Sequence, residues 1–301
     1  MNFPNRNGAL VSALQSWRGR EIVMLLNRGT RSDGLSHLGS RALLQGLGLA
    51  WKECGDGDRP NDVRGDILLV HGASGLSHGD GGTIAKCVAA LAPRFAHVVL
   101  LPATFDLRSP RVQRFVENWT AKYIVFCREM VSFDSLHAAG ARPGSLQLGH
   151  DLAFHVDYSD WKDCPATGRA GIFRRDREAA FGRLPRELDA WNDAAQGTER
   201  EPQRLLDYIA RFEKIYTDRS HAAIAAAMMG REVVFYRNIF FKNRAIYEHS
   251  LAPLSQVTFS EPTPFSTGQF MRAVYWGRVR PVQDKVMRLF QWRRADSPTA
   301  A

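Results

Sequence analysis

Thr217-Asp218-Arg219-Ser220-His221 stands between an apolar run, 214–217, and an alanine- and methionine-rich stretch, 219–229, that Gly230 ends. The run reads as a strand and the stretch as a helix, with the glycine as its stop. A helix start carries free backbone N–H groups and the positive end of the helix dipole, so it attracts anions. Asp218 is a suitable N-cap, because its carboxylate can accept from first-turn N–H groups. Arg219 and His221 then add a guanidinium and an imidazole, which together make a site for phosphate or carboxylate. The same residues also fit a plainer role, with Asp218 as a cap alone and His221 as a surface residue.

The elements that must position this turn alternate. Residues 21–26, 66–70, 97–101 and 123–126 read as buried strands, the third ended by Pro102. Helical spacing is read at 34–51, 84–91, 112–121 and 132–139. A polar break at 157–169, with Pro165 and Gly168, leads to a second unit. There 171–175 reads as a strand, 184–202 as irregular, 205–212 as a helix, 214–217 and 233–236 as strands, 241–251 as a helix and 256–259 as a last strand. Strands that are apolar throughout and alternate with helices imply parallel sheets covered on both faces. The predicted fold is α/β, with two Rossmann-like domains facing a cleft, residues 1–160 and 161–301.

Ligands of such sheets bind beyond the carboxyl ends of the strands. That rule singles out 27–34, 71–83 and 102–108, and within them Asp33, His71, Gly72, Ser74 and His78. The plainer reading of the glycines is that they permit tight strand-to-helix turns.

The chain has 301 residues, 45% of them hydrophobic, which suits two domains better than a single core. Its 40 Lys+Arg exceed its 31 Asp+Glu for a formal charge of +9, which points to anionic partners. The basic residues are dispersed, so nucleic acid is not expected. Cys54, Cys87, Cys127 and Cys164 form no C-x-x-C pair, so neither a zinc site nor a redox motif is legible. Scattered thiols fit a reducing compartment. Residues 1–17 lack the pattern of a signal peptide, and no run reaches the roughly 18 apolar residues of a spanning helix. A cytoplasmic protein is expected, with peripheral contact to the inner membrane as an option. Gly75-Leu76-Ser77-His78-Gly79 matches G-x-S-x-G, but a nucleophile elbow needs a strand immediately before its serine and a helix immediately after. Here the serine lies inside one glycine-rich loop, so a hydrolase is set aside.

The ordered motifs resemble the polysaccharide pyruvyl transferase family. Thr217-Asp218-Arg219-Ser220-His221 resembles its T-D-R-L-H element, and Asn238-Ile239-Phe240-Phe241-Lys242 its N-x-x-G-K element. Upstream, Arg174-Arg175-Asp176-Arg177-Glu178 is similar to R-T-D-x-E, His150-Asp151-Leu152-Ala153-Phe154 to P-D-x-A-F, and Arg128-Glu129 with Ser132 to R-E-x-x-S. Leu101-Pro102-Ala103-Thr104 is similar to L-P-Q-T, and Asp33 falls in a stretch like the family's N-terminal G-D loop. The resemblance spans about 20–250. Ser220, Ser32, His150 and Phe241 depart from the usual Leu, Gly, Pro and Gly.

The resemblance implies a glycosyltransferase-B-like fold. It also implies transfer of the enolpyruvyl carbons of phosphoenolpyruvate onto two hydroxyls of a saccharide, closing a pyruvate ketal. The acceptor would be a polysaccharide or its lipid-linked precursor. Phosphoenolpyruvate is then a co-substrate, with no other cofactor; the sequence shows no metal-ligand spacing. The matching donor-binding residues are Arg174, Arg219, His221, Asn238 and Lys242, and the catalytic pair is Arg219 as clamp and His221 as general acid. The acceptor side falls to Asp33, His71, Gly72 and Ser74. Asp151 with Phe154 is expected to lock a turn by packing. A glycosyltransferase using a nucleotide sugar is the alternative, since a helix start can also hold a diphosphate. The aromatic and basic stretch 270–294 would dock on the first domain or lie on an anionic membrane.

Overall fold

The structure, a computed structural model, describes residues 7–55, 62–72, 76, 81–176, 178, 179, 185 and 188–262, with only the backbone at 81 and 82. It begins with helix α1 (Gly8–Ser16), strand β1 (Ile22–Leu26), helix α2 (Arg31–Gly46) and strand β2 (Trp51–Gly55). There follow β3 (Ile67–Val70), α3 (Gly81–Leu91), β4 (His97–Ala103), α4 (Pro110–Glu117), β5 (Tyr123–Cys127), α5 (Met130–Ala138) and β6 (Ser145–Leu148). The six strands form one parallel sheet in the order β2-β1-β3-β4-β5-β6.

A 3-10 turn (Leu152–His155) and the short helix α6 (Ser159–Lys162) lead to the second sheet. Its elements are β7 (Arg169–Ile172), β8 (Ala190–Trp191), α7 (Gln203–Ala210), β9 (Lys214–Thr217), α8 (Ser220–Met228), β10 (Glu232–Tyr236), α9 (Lys242–Ile246), a π-helical turn (Tyr247–Leu251) and β11 (Val257–Ser260). The order is β11-β10-β9-β7-β8, again all parallel. The expected α/β fold with parallel sheets and interleaved helices is therefore present. Both sheets belong to one compact unit that runs through residue 261, leaving aside 181–184. No helix among the described residues is long and apolar enough to cross a membrane.

The inner strands are apolar because they are buried on both faces, as in all four residues of β3. The edge strands β2 and β6 differ. β2 exposes Lys52 and Glu53, and β6 exposes Gln147. Residues 34–51 are thus not one helix: α2 ends at Gly46 and Trp51 opens β2. Pro102 does not end the third strand either. β4 runs on to Ala103, and its register with β5 shifts between Leu100 and Ala103. A residue without an N–H is tolerated where the ladder is already irregular. The stretch 184–202 also holds the two-residue strand β8.

Each sheet reverses its strand order once. In the first, the chain passes from β1 out to β2 and returns to β3 on the other side of β1. In the second, it passes from β7 out to β8 and returns to β9. The crevices at these switch points are where open α/β sheets bind ligands. α2 follows β1 at the first, and α8 follows β9 at the second.

These two helices meet. α2 contacts α8, α7 and the 3-10 turn, and its Leu35 packs in the core of the second sheet beside Ala153 and Phe154. The approach requires glycine. A Cβ at Gly39 would stand 1.7 Å from the Leu152 carbonyl oxygen, and one at Gly34 2.2 Å from that of Glu199. α8 is buried on every side from Ser220 to Ala227, and its alanines let the neighbouring elements come close.

Candidate functional site

The turn at 217–221 is built from hydrogen bonds between strand ends. Thr217 Oγ1 donates to the Ile172 carbonyl at 2.6 Å and accepts from the Arg219 N–H at 3.0 Å. Asn243 Nδ2 donates to the carbonyls of Asp218 and Tyr236 at 2.7 and 2.9 Å. Asp218 is not the N-cap. That position falls on Arg219, with extended backbone and no side-chain cap, while Asp218 Oδ1 accepts from the Arg174 N–H at 2.8 Å. The carboxylate is used to tie the end of β9 to the end of β7.

His221, in the first turn of α8, is buried. Its Nε2 lies 3.2 Å from Asp151 Oδ2, 3.3 Å from Ser36 Oγ and 3.4 Å from Arg128 Nη1. Its Nδ1 faces Asp33 Oδ1 across 3.9 Å. Asp151 is the hub of this cluster. It accepts from Arg128 Nη1 at 2.6 Å, from Ser36 Oγ at 2.8 Å and from the Ala153 N–H at 2.9 Å. Burial pushes the Asp151 carboxyl up, but His221 and Arg128 prevail and hold it well below the usual carboxylate range. Arg128 is fully buried. Its Nε donates to Thr104 Oγ1 at 2.8 Å, and its Nη2 has no hydrogen-bond partner among the described residues.

Each of the cations assigned to the donor is paired with a carboxylate. Arg219 directs Nε and Nη2 at the two oxygens of Asp193, both at 2.7 Å, and both side chains are buried. Arg174 makes the same bidentate pair with Asp176 at 2.9 Å and reaches Glu178 at 3.0 Å. Lys242 is buried against the Glu178 carboxylate, and burial lowers its pKa. The physical reason is general: a charge taken out of water needs a partner. Asn238 is buried nearby in sequence, with Oδ1 accepting from the Phe240 N–H at 3.2 Å and Nδ2 lacking a partner among the described residues.

On the side of the first sheet, Asp33 closes a capping box with Thr30, accepting from its N–H at 2.8 Å. Burial raises the Asp33 pKa, yet His221 and the Thr30 hydrogen bonds bring it down to about 2. His71, at the end of β3, is fully buried, with Nδ1 3.1 Å from Asn27 Oδ1. His37 of α2 packs edge-on against it at 4.2 Å between ring centres. Burial lowers both imidazoles, His37 to about 4 and His71 well below its ordinary value. Gly72 serves packing, because a Cβ there would stand 2.9 Å from the Ala103 Cβ. Ser74 and His78 lie outside the described residues, as does the stretch 270–294.

The two histidines predict acid lability. A buried imidazole that resists protonation lets the unfolded chain take up the proton first, so stability falls as pH drops. For His37 the window runs from 6.5 down to about 4. The loss from this residue is about 3 kcal/mol across that window. Urea midpoints measured through it should decline steadily, and more gently in His37→Asn.

The structure brings together Asp33, His71 and His221, which the sequence placed at separate strand ends, and sets His37 of α2 beside them. Asp151 does cap the 3-10 turn as a turn residue should, but it also pairs with His221, which sequence reasoning missed. Ser36, Arg128 and Asp193 were missed as well. Arg128 stood in a recognisable motif at a strand end, which was its available signal. Asp193 lay in a stretch without periodicity and had none.

The sequence model of the family "Polysaccharide pyruvyl transferase" matches residues 19–238, from β1 through β10. No curated protein matches the chain. Among solved structures, an uncharacterized protein of Klebsiella pneumoniae subsp. pneumoniae is similar in fold, with a TM-score of 0.69 and 22% identity, covering 86% of this chain and 99% of that one. The family match extends over most of the chain and takes in both switch points, so the chain belongs to the polysaccharide pyruvyl transferase family.

Proposed function

We propose that the protein transfers the pyruvyl unit of phosphoenolpyruvate to two hydroxyls of a saccharide, forming a cyclic ketal and releasing phosphate, with the donor held at the start of α8. Membership of the family makes the chain a transferase with a general role in pyruvyl transfer. The observation that carries the donor reading is Arg128. A fully buried guanidinium leaves Nη2 unspent while its Nη1 lies 3.4 Å from an imidazole. Buried donors are rarely left without a partner, so an unspent one beside a titratable ring suits an anionic ligand. The α8 N-terminus adds its free N–H groups. Arg174 and Lys242, now balanced by Glu178, and Asn238 Nδ2 supply further donors that a multiply charged anion can recruit.

In this reading His221 protonates the methylene carbon of the donor and makes the neighbouring carbon electrophilic. The saccharide lies toward the first sheet, by Asp33 and His71. A cavity of about 500 Å³ lined by Asn27, Arg28, His37, Arg41, Glu53 and Glu199 opens beyond β1 and β2. That size suits a sugar, and its mixed donors and acceptors suit hydroxyls. The two-domain division, a lipid-linked acceptor and peripheral membrane contact belong to the same proposal.

Thermal unfolding tests the donor. A ligand that binds only the native state raises apparent stability by about 2.7 kcal/mol at a hundredfold excess over Kd. Phosphoenolpyruvate should raise Tm by several degrees and nucleotide sugars should not. The reverse result supports the nucleotide-sugar alternative and removes this proposal.

A further inference from the structure

The hydrogen bonds around His221 assign its tautomer. Asp151 Oδ2 is 3.2 Å from Nε2, and the same carboxylate already accepts from Arg128, Ser36 and the Ala153 N–H. An ionised carboxylate can only accept, so the proton between Asp151 and the ring sits on Nε2. Ser36 agrees. Its hydroxyl proton is spent on Asp151 Oδ1, which leaves the oxygen, 3.3 Å from Nε2, to accept from that N–H as well. Among the described residues Nδ1 has no such bond, since Asp33 Oδ1 at 3.9 Å is beyond hydrogen-bond range.

We infer that Asp151 is a positioning residue that fixes His221 as the Nε2–H tautomer, leaving Nδ1 as the nitrogen that exchanges protons with substrate, opposite Asp33. This rests on the donor reading for the identity of the substrate, but the tautomer itself does not. The arrangement has a chemical purpose. A ring free to turn over would present either nitrogen to the donor, and a proton on the wrong one cannot be delivered. Asp151 stays ionised for the task, since His221 and Arg128 outweigh its burial.

The proton transfer then balances as follows. Before reaction the ring takes up a second proton, from solvent, at Nδ1; that Nδ1–H bond then breaks and its proton forms the third C–H bond of the donor methyl group, using the alkene electron pair. The neighbouring carbon is attacked in turn by two acceptor hydroxyl oxygens, and the bond to the phosphate oxygen breaks with its electrons on phosphate. One hydroxyl proton returns to Nδ1 by way of Asp33, and the other leaves with the phosphate. Throughout, Nε2–H remains on Asp151.

Two-bond proton–nitrogen correlation spectra of the ligand-free, histidine-labelled protein at alkaline pH test the inference, with the His221 signals assigned by their loss in His221→Gln. The expected wild-type result is a protonated Nε2 and a bare Nδ1. In Asp151→Asn the amide N–H₂ competes for the ring, so the tautomer should invert. kcat should then fall by roughly 10²–10⁴-fold, while KM for phosphoenolpyruvate changes only a few-fold. A merely structural Asp151 would leave the tautomer where it was. A wild-type ring protonated at Nδ1 and bare at Nε2 overturns the inference, even if the variant does not fold, and so does a variant with unchanged tautomer and kcat. If the Nε2–H tautomer is found but phosphoenolpyruvate is not turned over, the positioning role stands and the donor reading falls.

Discussion

Phosphate release from phosphoenolpyruvate in the presence of acceptor is expected to drop by roughly 10²–10⁴-fold in His221→Gln, the usual contribution of a positioned general acid. The substitution is chosen to spare the fold. His221 is buried and bound to Asp151, so truncation to alanine would leave a cavity beside a buried carboxylate that has lost one of its donors. Glutamine keeps an N–H₂ group to donate to Asp151 and cannot protonate carbon. The loss should therefore lie in kcat, with melting temperature close to that of the wild type. A glutamine variant with undiminished phosphate release would remove His221 from the chemistry, whatever binds there.

The second large effect concerns stability. Arg219 and Asp193 form a bidentate pair with relative exposures of only 2% and 4%, so removing either partner strands a charge in the interior. Breaking such a pair costs about 3–5 kcal/mol. For a unit of this size that is roughly 6–20 °C in Tm. Arg219→Met and Asp193→Leu should each show this loss, and the double variant should recover most of it, since an apolar pair of similar volume carries no stranded charge. Thermal denaturation of the three proteins reads the outcome. If Asp193→Asn instead keeps full stability and tightens phosphoenolpyruvate binding, the Arg219 fork is a donor clamp that Asp193 holds in reserve.

The contrast between His221 and Arg219 shows what the sequence made legible. Both stood in one five-residue motif at a helix start. The inner strands were visible as apolar runs because burial on both faces leaves no polar position in them. β2 and β6 were not, since a sheet edge is half solvated and charged residues such as Lys52 and Glu53 interrupt the pattern. Helix α1 carries a weak signal, because only Leu10 and Leu14 of its nine residues are buried.

The loops at the strand ends were legible through topology, which is why Asp33, His71 and His221 fall at the two switch points. What each side chain touches was not. Asp151 lies 70 residues before His221, and Asp193 lies 26 before Arg219. Their pairing depends on how α2 lies on the 3-10 turn and on where β8 ends, and no local spacing encodes either. The closing of α2 onto the Leu152 carbonyl through Gly39 is of the same kind. A glycine in mid-helix signals a close approach without naming the partner.

The most direct test of the central claim is a crystal of the protein soaked with phosphoenolpyruvate. Density for the donor should appear at the start of α8, its methylene carbon within reach of His221 Nδ1 and an anionic group on Arg128 Nη2. Donor density elsewhere on the molecule, with the Arg128 and His221 cluster unchanged, would contradict it.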